Sequence, residues 1–506
     1  MSRLEAKKPS LFISEPLTTV SQPLSLLIAI LKSCYGPAGR LKQLHNGVGG
    51  YVCLTSQSSA ILGHLSVSHP VLKVLTASVQ NHVSRFSDCG LFTAILCCSL
   101  IENFKNLNIA SCTIIKISKH LLSLCTDYLK SKACGCRVSV DFSNLETLLC
   151  LVRSILTSKP ACMLNKTEVD CLAVLIVKAF MYTVPCHPET KPVLGKCVTV
   201  PLKGKRVLDS TVIPGLLIET PEIQFAKPFS VKRTSSDAVK YLKDNNVIAV
   251  DRAGLSVMEP LSQVTGSKPI ASIYSLSPSC YGSLKDVRAE SFASKHFVHL
   301  IPNDTTVCSL ILCNRNETTW DELKRACETA EHVLQLTLKE PLALLGGGCT
   351  ETHLASYLRQ KVCKRKGVSK DVECSPTQYQ LITDAFCHSL ESVACSLSHD
   401  GGEILTDMAY GHCWLVPSGF PSVSNWSDLL SKCGCGINSS TKDLNWRHLQ
   451  PLFGSSPIES CPKEPSGKVT DFMTLDCFAA KYNGLQVAVE TANLILDLSC
   501  VIEDQN

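Results

Sequence analysis

Four short stretches carry residues whose types and spacing could do phosphate chemistry. The first is "LALLGGGCTETHLA", Leu342 to Ala355, in which an apolar run ends in Gly346, Gly347 and Gly348 and gives way to a helical pattern. Small residues at a strand-to-helix turn let backbone N–H groups approach an anion. The same glycines also suit a tight turn that needs positive φ. The second is Gly36-Pro37-Ala38-Gly39, just past a helical pattern, where a plain turn is the alternative. The third is Ser87-Asp88-Cys89-Gly90, which opens another helix; Asp88 suits either an N-cap or a magnesium ligand beside a phosphate. The fourth is "PVLGKC", ending in Gly195-Lys196 and Cys197. A phosphate loop needs an earlier glycine and a hydroxyl after the lysine, but Thr190 and Cys197 stand there, so Gly195 and Lys196 read as a chance match.

Thiols are the other reactive class. The chain has 29 cysteines, including the pairs Cys134/Cys136 and Cys433/Cys435. A zinc site wants four ligands, usually as C-x2-C pairs or with histidines at short spacing. Neither pair has a local partner pair of that kind, so both read as small buried hydrophobes. The amino terminus, "MSRLEAKKPSLF", lacks a secretory pattern, and disulfides are not expected.

The elements that must position these residues change along the chain. Helical spacing marks "VSQPLSLLIAILKSCYG", a helix from Pro70, and helices near 90–106, 112–130, 143–157 and 167–183. "YVCLTSQSSAIL" reads as a short strand running into a polar turn. From Gly195 to about Asn314, "CVTVPL", "VLDSTVIPGLLIE", "NVIAV" and "TTVCSLILC" read as strands, and "DAVKYLKDN" and "LSVMEPLSQVTG" as short helices. Helices return at 316–339, 350–363, 375–398 and in "LDCFAAKYNGLQVAVETANLILDLSCVI", with loops or irregular hairpins over about 416–470. Helical ends around a β-rich middle imply a discontinuous domain formed by both termini, with an insertion projecting from it.

Bulk properties exclude several classes. Hydrophobic residues make up 45% of 506, enough for large cores and about three domains. Basic and acidic residues number 49 and 44, for a net charge of +5, with no basic stripe, which argues against nucleic acid. "GLFTAILCCSLI" is too short to span a bilayer, so a protein without a membrane span, in the cytoplasm, is expected.

In order and spacing, "YGPAGRLKQL", "LTSQSSAIL", "HPVLKVL", "SDCGLFTAIL", "ILTSK", "LLGGGCTETHLA" and "AVETANLILDL" resemble the group II chaperonins, from about residue 20 to 503. "SCYGPAGRLKQLHNG" and "HDGGEILTDM" narrow the resemblance to the chaperonin-like Bardet–Biedl branch of that family. It implies an α+β multidomain subunit: a helical equatorial domain (1–136 and 346–506), a small intermediate domain (137–194 and 314–345) and an α/β apical domain (195–313). Only 37 positions separate Gly215 from Arg252, which implies a truncated apical domain.

The resemblance also assigns chemistry. Working members bind ATP and magnesium through a Gly-Asp-Gly-Thr-Thr loop, matched here by Ser87, Asp88, Cys89, Gly90, Leu91 and Phe92. Asp88 would hold magnesium, but Leu91 and Phe92 offer phosphate no hydrogen bond. Gly36, Pro37, Gly39, Gly346, Gly347, Gly348 and Glu351 match. A second loop becomes Thr55 to Ala60, with Gln57 in place of a carboxylate. The family's catalytic aspartate falls on Thr329, and Glu328 beside it is turned by about 100° along a helix. Losing such a base removes about 10²–10⁴-fold in rate.

The expected function is a chaperonin-like factor that assists folding and assembly of protein complexes, in particular the Bardet–Biedl complex of ciliary trafficking. Its expected partners are other chaperonin-like Bardet–Biedl proteins, cytosolic chaperonin subunits and Bardet–Biedl complex subunits. Its expected places are the cytosol, the centrosome and the ciliary basal body. The alternative is an ATP-hydrolysing folding chaperonin with relocated catalytic groups.

Overall fold

The computed structural model describes residues 11–14, 16–45, 52–65, 67–185, 194–219, 255–275, 277–303, 307–364, 374–399, 403–407, 411–416, 433–436, 446–450, 454–457 and 473–503. The helices among them are α1 (Pro16–Lys32), α2 (Ser58–His64), α3 (Pro70–Phe86), α4 (Gly90–Lys105), α5 (Ser111–Lys130), α6 (Leu145–Thr157), α7 (Lys166–Thr183), α8 (Leu255–Thr265), α9 (Glu317–Lys339), α10 (Cys349–Lys364), α11 (Pro376–Cys395) and α12 (Phe478–Asp497). Two compact units result, Met1–Leu164 with Arg325–Asn506, and Asn165–Lys324. Their boundaries fall inside the two stretches, 137–194 and 314–345, that the resemblance assigns to an intermediate domain.

Local chemistry explains where the helices start. Pro70 opens α3, where its missing N–H costs nothing, and the His69 side chain accepts from the Val71 N–H. Asn165 with Glu168 forms a capping box on α7, and Ser375 with Gln378 forms one on α11.

The first unit is built around α4. Ala94, Ile95, Leu96, Cys97 and Cys98 are consecutive and all buried, so the helix is enclosed on every side. It packs against α1, α3, α11 and α12. This is why "GLFTAILCCSLI" is so apolar: it is a core helix. No helix among the described residues is long and apolar enough to cross a membrane. Each fully buried Leu, Ile or Phe contributes about 1.5–3 kcal/mol.

A three-stranded antiparallel sheet in the same unit sets Leu342–Leu345 between Leu475–Cys477 and Arg137–Ser139, with Ala343 opposite both Cys477 and Val138. Lys42–His45 and Val52–Thr55 form a hairpin that leads into α2. The expected polar turn after Val52–Thr55 is that helix, N-capped by Gln57. Trp446–Gln450 and Gly454–Pro457, within the expected loop region, extend a four-stranded antiparallel sheet whose order is Cys413–Val416, Glu403–Asp407, Trp446–Gln450 and Gly454–Pro457.

In the second unit, strand Val307–Asn314 is buried along its whole length. It runs parallel to Lys196–Lys203 and antiparallel to Thr211–Pro214. Pro201 is tolerated because its strand is at the edge. Leu216–Glu219, Lys295–Ile301 and Asp286–Phe292 make a second sheet. "VLDSTVIPGLLIE", read as one strand, is a 3-10 turn and two strands in different sheets. Gly215, at φ 95°, makes the break, and a Cβ there would collide with the Leu300 carbonyl. The stretches "NVIAV" and "DAVKYLKDN" lie outside the described residues, as does most of the interval from Gly215 to Arg252.

Candidate functional site

Strand Leu342–Leu345 ends in the Gly346-Gly347-Gly348 turn, and Cys349 begins α10. The Gly346 N–H donates to the Thr474 carbonyl at 2.8 Å, stitching the turn to the segment that carries Asp476. Gly347 and Gly348 have φ of 63° and 83°, so the sequence reading of a turn requiring positive φ holds there.

The Ser87–Gly90 loop joins α3 to α4. Ser87 closes α3 with φ 58° and donates its N–H to the Val83 carbonyl; Cys89 precedes α4 with φ 59°. Left-handed backbone costs a non-glycine residue about 1–2 kcal/mol. The bend persists although neither residue is glycine.

These loops enclose one cavity of about 220 Å³. Gly36 and Pro37, Gln57 to Ser59, Ser87 to Phe92, and Gly347 with Gly348 all line it. Motifs scattered through the sequence therefore share one site. Gly39 and Gly346 shape turns beside it: the Gly39 N–H donates to the Gly36 carbonyl at 3.1 Å. Gly195 and Lys196 lie in the second unit. Lys196 opens a strand and pairs with Glu259, and no helix follows it, so the phosphate-loop candidate is excluded by its geometry.

The charged groups at the cavity include several the sequence reading did not single out. Lys159, from "ILTSK", lies 3.8 Å from Asp88. Lys481 sits 2.6 Å from both Glu351 and Asp476. Burial alone would lower the Lys481 pKa; the carboxylates of Asp476 and Glu351 overcome that and hold it well above the usual lysine range. The Lys481 ammonium also lies 4.7 Å from the Phe92 ring centroid. Burial pushes the Tyr35 hydroxyl pKa well up, so this cavity-lining group is neutral.

Thr329 stands on α9 beside the same loop, its hydroxyl 3.5 Å from the Ser87 carbonyl. His332, one turn on, has Nδ1 2.7 Å from the Ser87 hydroxyl. Glu328 is exposed. α4 and α10 begin at the cavity, so their positive dipole ends and N–H groups favour an anion there.

A model of the TCP-1/cpn60 chaperonin family matches residues 27–233 and 229–506. The chain belongs to the TCP-1/cpn60 chaperonin family. It is similar to the proteins named molecular chaperone MKKS of Homo sapiens and Mus musculus, at 54% and 51% identity over 571 residues, covering 100% of each chain. That alignment is longer than the 506 residues of this chain, so these relatives carry segments it lacks. It is also 23% identical to thermosome subunit alpha of Sulfurisphaera tokodaii, over 453 residues, 74% of this chain and 77% of the other. TCP-1/cpn60 membership accounts for an α+β chain whose distant glycine motifs converge on one cavity.

Proposed function

We propose that this chain is a chaperonin-like assembly factor whose nucleotide site has kept its bends and lost its hydrolytic groups. The family and the relatives named molecular chaperone support the first half. One observation carries the second: the position expected to supply a catalytic carboxylate holds Thr329, and its hydroxyl faces the Ser87 carbonyl. A threonine hydroxyl is no general base near neutral pH.

The residues fit ATP and magnesium only in part. Backbone N–H groups at the starts of α4 and α10, with Lys159, favour an anion, and Asp88 is the one candidate magnesium ligand from the sequence reading. Against this, Lys159 already neighbours Asp88. Leu91 and Phe92 face the cavity where phosphate oxygens would need donors. A cavity of about 220 Å³ is also below the roughly 300–1,000 Å³ usual for small-molecule pockets. These side chains do not fit a magnesium triphosphate poised for hydrolysis.

In this reading the two-part unit and the insertion correspond to equatorial, intermediate and shortened apical regions. The factor assists assembly of the Bardet–Biedl complex with related chaperonin-like proteins and cytosolic chaperonin subunits, in the cytosol and at the centrosome and ciliary basal body. Affinity purification with partner identification, with and without ATP, tests it. Recovery of chaperonin-like partners independent of ATP supports the reading; recovery only with hydrolysable ATP contradicts it.

A further inference from the structure

Directly behind the glycine turn, four metal-ligating side chains from three separate parts of the sequence come together. Cys349, His412, Cys433 and Cys435 each present a ligand atom, and all four atoms lie within 4.8 Å of one another. The His412 Nδ1 stands 3.5 Å from the Cys433 sulfur and 3.6 Å from the Cys435 sulfur. A tetrahedral zinc ion with Zn–S of about 2.3 Å and Zn–N of about 2.0–2.1 Å requires S···N edges of roughly 3.6 Å. We propose that Cys349, His412, Cys433 and Cys435 form a structural zinc site.

The surroundings are built for it. Cys349, Cys433 and Cys435 are free thiols and almost fully buried, at 1%, 4% and 0% exposure. Asp407, also buried, accepts from the Gly411 and His412 backbone N–H groups at 3.2 and 2.8 Å and fixes the segment that carries His412. The Gly436 N–H closes a turn onto the Cys433 carbonyl at 2.8 Å, and the Thr474 N–H donates to the Cys435 carbonyl at 2.8 Å. Cys349 is the first residue of α10.

Three sulfurs and one imidazole make a soft donor set that suits zinc over magnesium or calcium. Four protein ligands leave no open position, so the ion is structural and performs no hydrolysis. Binding releases the thiol protons as the thiolates form. The function follows from what the ligands flank. The Gly347 and Gly434 backbones are in such close approach that a Cβ on either would collide with the other's carbonyl. A zinc ion would clamp the turn beginning at Cys433 to the start of α10, holding the glycine loop that lines the cavity. The Cys433/Cys435 pair has no partner pair nearby in the sequence; the fold supplies Cys349 and His412.

The test is metal content of the full chain, purified without chelator from zinc-sufficient cells. The expected result is one zinc per chain, lost in the Cys433→Ser/Cys435→Ser double variant and kept in Cys134→Ser/Cys136→Ser, whose sulfurs pair 3.4 Å apart. Should the first variant fail to fold, the metal-stripped parent chain is titrated with cobalt(II). The expected spectrum is that of a tetrahedral site with sulfur-to-metal charge transfer. A parent chain that neither retains zinc nor gives that spectrum overturns the proposal. So does zinc that persists in Cys433→Ser/Cys435→Ser, or a disulfide among Cys349, Cys433 and Cys435.

Discussion

The Lys481 ammonium lies 2.6 Å from the Glu351 carboxylate, with both side chains almost completely buried, at 4% and 1% exposure. The pair joins α12 to the first turn of α10, just beyond the glycine loop. Removing one partner strands a charge in the core, which typically costs about 3–5 kcal/mol. Lys481→Met is expected to lower stability by about that amount, read as a shift of the urea midpoint. Lys481→Met/Glu351→Gln is expected to lose less than the sum of the single changes.

Two glycines should respond oppositely to alanine. Gly347 has φ 63°, and a Cβ there would meet the Gly434 carbonyl, which is backbone and has little room to yield. Gly347→Ala is expected to cost about 2–4 kcal/mol. Gly63 lies inside α2 with nothing within 4 Å of a built Cβ. Gly63→Ala is expected to stabilise by about 0.5–1 kcal/mol. Denaturant unfolding of the two variants checks both signs.

The part of the stability that depends on two buried histidines should fall on mild acidification. Burial lowers the pKa values of His82 and His332 from 6.5. At these two sites the unfolded chain therefore binds more protons than the folded chain between those lowered values and 6.5, and their contribution to stability is lost as pH falls through that window. Thermal unfolding between about pH 7.5 and 5.5, compared with a variant lacking both histidines, should show the loss. His82→Gln/His332→Gln should flatten the profile.

Placing a carboxylate at the family's catalytic position should not by itself restore turnover. Thr329→Asp adds a base beside Ser87, but Leu91 and Phe92 still line the cavity without donors for phosphate. Phosphate release by Thr329→Asp is expected to match the parent chain. A gain of about 10²-fold or more would show that the base was the sole missing part.

Local chemistry was legible in the sequence, and long-range chemistry was not. The Gly346–Gly348 turn and the start of α3 follow from neighbouring residue types, whereas α4 starts from Cys89 with no side-chain cap and not from the N-cap candidate Asp88. The glycine and Ser87–Gly90 motifs are legible from the sequence itself. Lys481, Asp476 and Tyr35 gave no local signal, because their significance comes from helix packing and a strand pairing that joins distant segments. The Cys433/Cys435 pair was visible, but Cys349 and His412 are brought to it only by the fold. The break at Gly215 is masked because Thr211-Val212-Ile213 before it and Leu216-Leu217-Ile218 after it are largely apolar, strand-prone runs that read as one strand.

The most direct test of the central claim is steady-state phosphate release by the purified chain with saturating magnesium and ATP, beside Asp88→Ala. The expected result is release no faster than a protein-free control and the same in both proteins. Turnover at chaperonin-like rates in the parent chain, abolished by Asp88→Ala, would contradict the account.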